Sequence, residues 1–317
     1  MSSHTPWWRN KRLLPLVLQG AVGLVILVVI ALLLGNLVRN LTAAGLLLSW
    51  RWLNLPAGFD VSETLLPFNA ELPYWRALLA GLVNTLRVVL LGLVGATLLG
   101  TLLGTAAFSS NGLLRRLARS YVELIRNVPL LLQLLFWYFV VFLALPDGSQ
   151  AIQLPGVVLA KSGLYLGPAS LVNGIWHGPL RITLEFAALL TGLVIHSAAF
   201  IAEVVRGGIA AVPGGQWEAA RSLGLKPMQT LQRIVLPQAL RVIVPGLNSQ
   251  YISLAKNSSL AVACGYSDLY AVAETTLNQT GRAVEVVLIL LGTYLVLDLA
   301  ISALMNGLNR LVQIQER

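Results

Sequence analysis

Charged residues are scarce in this sequence of 317 residues: Asp, Glu, Lys and Arg make up 11% of it, whereas hydrophobic residues make up 56%. Soluble globular domains carry about a quarter charged residues, and disordered chains combine low hydrophobicity with high net charge. The composition therefore excludes disorder and argues against a soluble single domain. A bilayer core about 30 Å thick needs about 20 apolar residues per helix, and this chain has room for several such helices.

Metal-ligating and redox-active side chains are also few. Cys264 is the only cysteine, so the sequence allows neither an intramolecular disulfide nor a cysteine-based metal site. The three histidines, His4, His177 and His196, are too scattered to predict a metal cluster. The net charge is +9, but the basic residues lie between apolar runs, where the cytoplasmic-loop bias accounts for them without a nucleic-acid partner.

Six apolar runs predict transmembrane helices. They are Leu13 to Val38, Trp75 to Phe108, Val128 to Pro146, Ile182 to Val205, Ile234 to Ala255 and Val284 to Leu308. Basic residues precede the first run, as they do in a signal peptide. That run is too long for a signal-peptide core, and no Ala-x-Ala-like site follows it. We therefore predict a retained anchor.

Orientation follows from the distribution of Lys and Arg. With the N-terminus in the cytoplasm, 14 of the 22 basic residues lie on the cytoplasmic side and 7 outside, with Arg87 inside a span. This bias predicts that both termini are cytoplasmic. The predicted organisation is a basic segment and anchor over 1–39, an external segment over 40–74, a core over 75–309 and a tail over 310–317. Within the core, 147–180 is an external insert, 206–237 is a cytoplasmic loop, and 260–276 is either re-entrant or a short external helix.

The cytoplasmic loop has the local signals of a helix, a turn and a second helix. Pro213 and the two glycines after it end the preceding span, and good helix formers follow from Gln216 to Leu223. Gly224 suits the left-handed position after a helix end, and Pro227 fits the first turn of the next helix. Ala219 and Ala220 leave a small-residue face that another protein can approach closely. The plain alternative is a solvated loop.

The spacing within this loop goes beyond what a solvated loop requires. Glu218-Ala219-Ala220 is followed after three residues by Gly224, and after nine more by Ile234-x-Leu236-Pro237. This pattern resembles the signature loop of the integral-membrane subunits of ABC importers, in which the loop forms a coupling helix that docks into a groove on the ATPase subunit. The resemblance implies a set of ATPase-coupling residues: Gln216, Glu218, Ala219, Ala220, Arg221, Gly224 and Lys226.

Further segments resemble the polar-amino-acid branch of these permeases over residues 75–309. They are Asn84-Thr85-Leu86, Tyr121 to Gln133, Ala198 to Val212, and Leu254 to Leu260. The N-terminal anchor, the region of Glu63-Thr64-Leu65 and the insert around Gly163 to Leu166 depart from the minimal five-span members. These features resemble the Q-type subunit of general L-amino-acid importers, which pairs with an M-type subunit.

The resemblance implies an all-α polytopic protein with a MetI-like permease fold of about six transmembrane helices in a bacterial inner membrane. It implies that the chain forms half of an L-amino-acid pathway. Its partners would be ABC ATPase subunits, a second permease, an external solute-binding protein and membrane lipid. No Gly-x-x-x-x-Gly-Lys-Ser/Thr motif occurs, so ATP and Mg are expected on the partner ATPase and no cofactor is expected on this chain.

Three alternatives stay open. The first is a permease for another small polar solute. The second is a membrane-embedded enzyme, for which His196 is available but the Gly-x-Ser-x-Gly and His-Glu-x-x-His motifs are missing. The third is a secondary transporter, a class that usually shows inverted hydropathy repeats. Six spans with a single signature loop do not suggest it.

Polar groups at membrane depth are candidates for the substrate pathway, because each charge there costs about 2.5–3.5 kcal/mol and tends to face protein or water. The candidates are Thr85, Gln133, Glu203, Gln250, Lys256, Asn257, Ser258 and Asp298. Lys256 is the expected partner of a substrate carboxylate. Structural roles compete: helix-end capping by Asn257 or Ser258, and an i, i+3 pair of Glu203 with Arg206. Asp298 has no cation nearby in sequence.

Overall fold

A computed structural model describes residues 13–43, 45, 48–109 and 111–313. The helices are α1 (Leu13–Ala43), α2 (Tyr74–Ala106), α3 (Gly112–Arg126), α4 (Leu130–Leu135), α5 (Leu184–Ala210), α6 (Gly214–Ser222), α7 (Pro227–Thr230), α8 (Leu236–Asn257), α9 (Leu269–Thr280) and α10 (Ala283–Val312). Short 3-10 helices cover Arg51–Asn54, Gly148–Gln150 and Ser258–Cys264, and π-helical turns cover Phe136–Phe142 and Leu231–Val235.

The chain divides after Trp50 into two units. The first unit contains α1, the predicted anchor, which is apolar from Ala21 to Gly35 and continues to Ala43, past the predicted end at Val38. The basic residues before it, at positions 9, 11 and 12, and the last four residues of the predicted tail lie outside the described residues. The second unit contains all the other elements.

Polar side chains fix where several helices begin. The side chain of Asn111 accepts hydrogen bonds from the backbone N–H groups of Leu113 and Leu114 at the start of α3. Thr183 and Asp268 do the same for α5 and α9. These are N-caps, which satisfy amides that have no partner inside the helix.

Among the described residues, four helices are long and apolar enough to cross a membrane: α1, α2, α5 and α10. The count rises to five if α3 and the helix Leu130–Phe142, which are bent by 104° at the intervening break, form one broken span. Helix α8 covers the predicted run from Ile234 to Ala255 but is not among these, and it packs against α5 and α10. The prediction of a predominantly helical chain with several membrane-spanning helices is confirmed, whereas the sixth span rests on the least apolar long helix.

The external insert contains a small sheet that the all-helical prediction missed. Its strands are β1 (Ile152–Leu154), β2 (Val157–Ala160), β3 (Gly163–Leu166), β4 (Ser170–Val172), β5 (Ile175–His177) and β6 (Leu180–Ile182). The antiparallel order is β1-β2-β3-β6, with β4 and β5 as a separate hairpin. Val158 faces Tyr165 across β2 and β3, and both side chains are buried with Trp176 in a core of their own.

Glycines bring α2 and α5 into close contact. A Cβ atom at Gly100 would lie 2.6 Å from Cγ2 of Ile201 and 2.9 Å from the carbonyl oxygen of Ala198. A Cβ atom at Gly104 would lie 2.7 Å from the carbonyl oxygen of Ala202. Small residues at such contacts let helices in a membrane approach closely, so α2 and α5 form the packed centre around which the candidate sites are built.

Candidate functional site

The signature loop folds as a helix, a tight turn and a second helix, as predicted, but Gly214 and Gly215 begin α6 and do not end the preceding span, because α5 already ends at Ala210. Helix α6 ends in a turn in which Gly224 has a φ of +71°. The backbone N–H of Gly224 donates to the carbonyl of Arg221 at 2.9 Å, and that of Leu225 donates to the carbonyl of Ala220 at 3.1 Å. A side chain at position 224 would be strained, so this glycine sets the angle at which the loop returns to α7.

Helix α6 has two different faces. Ala220 is 0% exposed, and Trp217 packs against the core cluster that contains Val235. The opposite face is exposed and carries Glu218 and Ala219; Arg221 is exposed at the edge between the two faces, and Leu223 is 78% exposed just beyond the helix. The helix is therefore fixed to the permease by one face and presents the other outward.

The burial of Ala220 corrects its expected role. The resemblance placed it among the residues that touch the ATPase, but its side chain is 0% exposed and lies on the face by which α6 packs on the rest of the permease. Gln216, Gly224 and Lys226 are exposed, as a contact surface requires. The side chain of Gln238 on α8 also donates to Gln216 at 3.3 Å, which ties the start of α6 to α8.

A polar cleft of about 320 Å³ lies between α5 and α8. Two of the predicted pathway residues, Gln250 and Asn257, line it. The other lining residues were missed: His196, Ser197, Phe200, Ser249 and Ser253. One signal was available, because Ser249, Ser253 and Asn257 recur every four residues and so share a face of a helix.

Gln133, a third pathway candidate, contacts His196, which lines this cleft. Its Nε2 donates at 2.9 Å to the carbonyls of Ile125 and Val128, at the bend between α3 and α4. The same nitrogen lies 3.2 Å from Nδ1 of His196. Gln133 is buried, so it stabilises the bend and positions the imidazole that lines the cleft.

Thr85 and Ser258 are engaged in local structure. The hydroxyl of Thr85 accepts a hydrogen bond at 3.0 Å from the backbone N–H of Leu269 and so helps to begin α9. Ser258 is buried and donates to the carbonyl of Ala255 at 2.7 Å. For both residues the burial and the bond favour a structural role over a place in the pathway.

Lys256 and Asp298 form an ion pair at 3.1 Å, with side-chain exposures of 59% and 18%. Asp298 has no cation nearby in sequence, and its partner comes from another helix. Lys256 lines a different cleft, of about 380 Å³, together with Tyr270, Leu290 and Tyr294. It is separate from the cleft that Gln250 and Asn257 line, and its ammonium group already has a carboxylate partner.

Glu203 lies near the C-terminal end of α5 in a cluster of charges. Its carboxylate accepts hydrogen bonds from Arg206 at 2.9 and 3.1 Å and lies 3.9 Å from Nη1 of Arg126. The expected i, i+3 pair is therefore present. These three residues line a cleft of about 420 Å³ with Arg119 and Glu123.

Arg87, the charge within the second span, has its carboxylate partner in the segment before α2 and not on another helix. Its guanidinium forms an ion pair with Glu63 and lies over the ring of Phe186, 3.9 Å from the ring centroid. The carboxylate of Glu63 also accepts a hydrogen bond from Thr183, and the backbone carbonyl of Glu63 accepts one from Asn84 at 2.6 Å. These contacts hold the segment around Glu63 against α2 and the start of α5.

Comparison with known families identifies the scaffold that carries these sites. Residues 96–314 match the family model of the binding-protein-dependent transport system inner membrane component. This match covers most of the second unit, including the signature loop, the α5–α8 cleft and the charged cluster around Glu203.

Individual proteins resemble the chain over greater lengths. It is 35% identical to the general L-amino acid transport system permease protein AapQ of Rhizobium johnstonii, over 89% of this chain and 87% of that protein. It is 33% identical to the glutamate/glutamine/aspartate/asparagine transport system permease protein BztB of Rhodobacter capsulatus, over 97% and 96%. A chain from the crystal structure of an amino acid ABC transporter with histidines matches with a TM-score of 0.58 and 29% identity, over 75% of this chain and 94% of that one.

Proposed function

The chain belongs to the family of binding-protein-dependent transport system inner membrane components, and from this membership and the geometry above we propose that it imports L-amino acids. It is a multi-pass inner-membrane permease subunit of an ABC transporter and works with ATPase subunits and a substrate-binding protein. It is not itself an enzyme, because separate ATPase subunits hydrolyse the ATP in this family. The membrane-enzyme alternative is thereby set aside.

The observation that carries the proposal is the two-faced helix α6. Its inner face is fixed by Ala220 and Trp217, so a push on the exposed face is transmitted to the turn Leu231–Val235 and to α8, which follows it directly. Helix α8 in turn lines the polar cleft with Gln250 and Asn257. An ATPase that docks on Glu218 and Arg221 would thus be linked mechanically to the pathway, with ATP-driven motion biasing two states of the permease.

The substrate assignment rests on the cleft and on the relatives. The α5–α8 cleft presents an imidazole, hydroxyls and amides, groups that donate and accept hydrogen bonds and suit a zwitterion. Two relatives that cover most of this chain are named for transport of L-amino acids or of glutamate, glutamine, aspartate and asparagine. We assign Gln250 and Asn257 to the pathway and give Gln133 a positioning role.

The subunit composition and the orientation are part of the proposal. The N-terminal anchor and the external insert, which resemble the Q-type subunit, favour a heterodimer with an M-type permease. Purification with two affinity tags on separate copies tests this, and recovery of active complexes with two copies of this chain alone would argue against it. For orientation, cysteines placed at positions 3 and 315 should be protected from an impermeant thiol reagent in intact cells, because the native Cys264 is buried and does not interfere.

Uptake by cells tests the function itself. Cells that lack their own amino-acid importers would express this chain with its ATPase, binding protein and second permease, and accumulation of labelled L-glutamate and L-glutamine would be measured. We expect accumulation that stops when the ATPase carries an inactivating substitution. Uptake of a different solute class, with the amino acids failing to compete, would favour the permease for another small polar solute.

A further inference from the structure

A continuous line of side-chain contacts leads from the polar cleft toward the C-terminal end of α5, next to the signature loop. His196 and Phe200 contact each other with ring centroids 5.0 Å apart. The guanidinium carbon of Arg126 lies over Phe200, 5.2 Å from its centroid. Arg126 in turn reaches Glu203 at 3.9 Å, and Glu203 is bonded to Arg206. The line runs about 15 Å along α5 at a rise of about 1.5 Å per residue.

Phe200 and Arg126 stand between two clefts of different character. On one side is the neutral polar cleft, which Phe200 lines with His196 and Asn257. On the other side is the charged cleft, which Arg126 lines with Glu203 and Arg206. The aromatic ring and the guanidinium therefore separate a neutral compartment at membrane depth from a charged compartment on the side of the signature loop.

The charged cleft has the chemistry to hold an amino acid by its head group. Arg126, Arg206 and Glu203 have side-chain exposures of 44%, 41% and 31%, so a ligand from the cleft can reach all three. A guanidinium binds a carboxylate with directed, charge-assisted hydrogen bonds, and the carboxylate of Glu203 can accept from an α-ammonium. A zwitterion entering between them exchanges the internal ion pairs for pairs with itself and leaves no charge unpaired.

We propose that Arg126, Glu203 and Arg206 form a second, transient binding site for the α-carboxylate and α-ammonium groups of the substrate, and that the Phe200–Arg126 contact is the barrier before it. This inference rests on the proposed function. The site is reached after the α5–α8 cleft and before release near the signature loop. The competing explanation is a purely structural cluster that fastens α3 to α5.

The two explanations differ in what single substitutions do to transport and to assembly. In proteoliposomes that contain the whole importer with binding protein, Arg126→Gln and Glu203→Gln should each lower the maximal uptake of labelled L-glutamine at least tenfold. Yield of the complex and basal ATPase activity should stay within twofold of the wild type. Arg116→Gln is the matched control on α3, because Arg116 is exposed and belongs to neither cleft lining. A structural cluster would instead lower yield and uptake in parallel.

The barrier has a separate readout. Phe200→Ala should raise the ATP-independent loss of preloaded L-glutamine from proteoliposomes at least fivefold. Phe139→Ala, the same change at a side chain that is 56% exposed and lines neither cleft, should not. Normal uptake by the Arg126 and Glu203 variants, or a parallel fall in yield, would overturn the inference while the wild type still imports amino acids. Failure of the wild type to import any amino acid would remove the proposed function as well.

Discussion

The two adjacent alanines of the signature loop provide a matched pair of substitutions. Ala220 is 0% exposed and packs inward, whereas Ala219 lies on the exposed face of the same helix. Leucine adds three carbon atoms at either site. At position 220 the added carbons enter a packed interior, where overpacking costs about 1–3 kcal/mol. At position 219 they enter solvent in the isolated chain, where the effect on stability stays within about 0.5 kcal/mol.

The two variants should therefore fail in different ways. Ala220→Leu should lower the unfolding midpoint of the purified permease by roughly 2–4 °C for each kcal/mol. Ala219→Leu should leave the midpoint unchanged and weaken ATPase binding, by about tenfold if the clash in the docking groove costs ~1.4 kcal/mol. Thermal unfolding in detergent and titration with the purified ATPase measure both effects. An unchanged midpoint for the first variant together with unchanged ATPase affinity for the second would refute this two-faced account of α6.

Further predictions concern packing and ion pairs. Gly100→Ala should reduce the yield of folded protein because its Cβ would lie 2.6 Å from Ile201, whereas Gly207→Ala, with nothing within 4 Å, should leave it unchanged or higher; solubilised yield measures both. Lys256→Met should lower the yield of assembled complex, because Asp298 is left without its cation at membrane depth. Adding Asp298→Asn should restore that yield. A double variant that assembles no better than Lys256→Met would contradict the pairing. Glu63→Gln should expose the external segment to limited proteolysis, because Arg87 loses its carboxylate partner.

The local structure of the signature loop could be predicted because each signal lies within a few residues of its effect. Pro213 precedes α6, Gly224 takes the left-handed conformation that ends it, and Pro227 begins the next helix. The inward direction of Ala220 could not be predicted, because it depends on how α6 lies on the turn Leu231–Val235. Identical side chains at positions 219 and 220 carry no information about that.

Two of the pathway candidates, Thr85 and Lys256, have partners that the sequence alone does not show. Thr85 finds its partner in the backbone of Leu269, and Lys256 finds its partner in Asp298 on another helix, so only the tertiary fold brings these groups together. The small sheet escaped prediction because its strands are only three or four residues long and lie among glycines and prolines. The polar face of α8 was within reach of sequence analysis through its four-residue spacing.

The most direct test of the central claim is ATP-driven uptake by the purified importer in proteoliposomes that contain this chain, its second permease and its ATPase. When the binding protein is on the side from which substrate is taken up and ATP is on the side of the ATPase, the account predicts accumulation of labelled L-amino acid against a gradient. It also predicts that the accumulation is lost when α6 can no longer engage the ATPase, as in Glu218→Arg combined with Arg221→Glu. Equal uptake with and without ATP, or full accumulation by that double variant, would contradict the account.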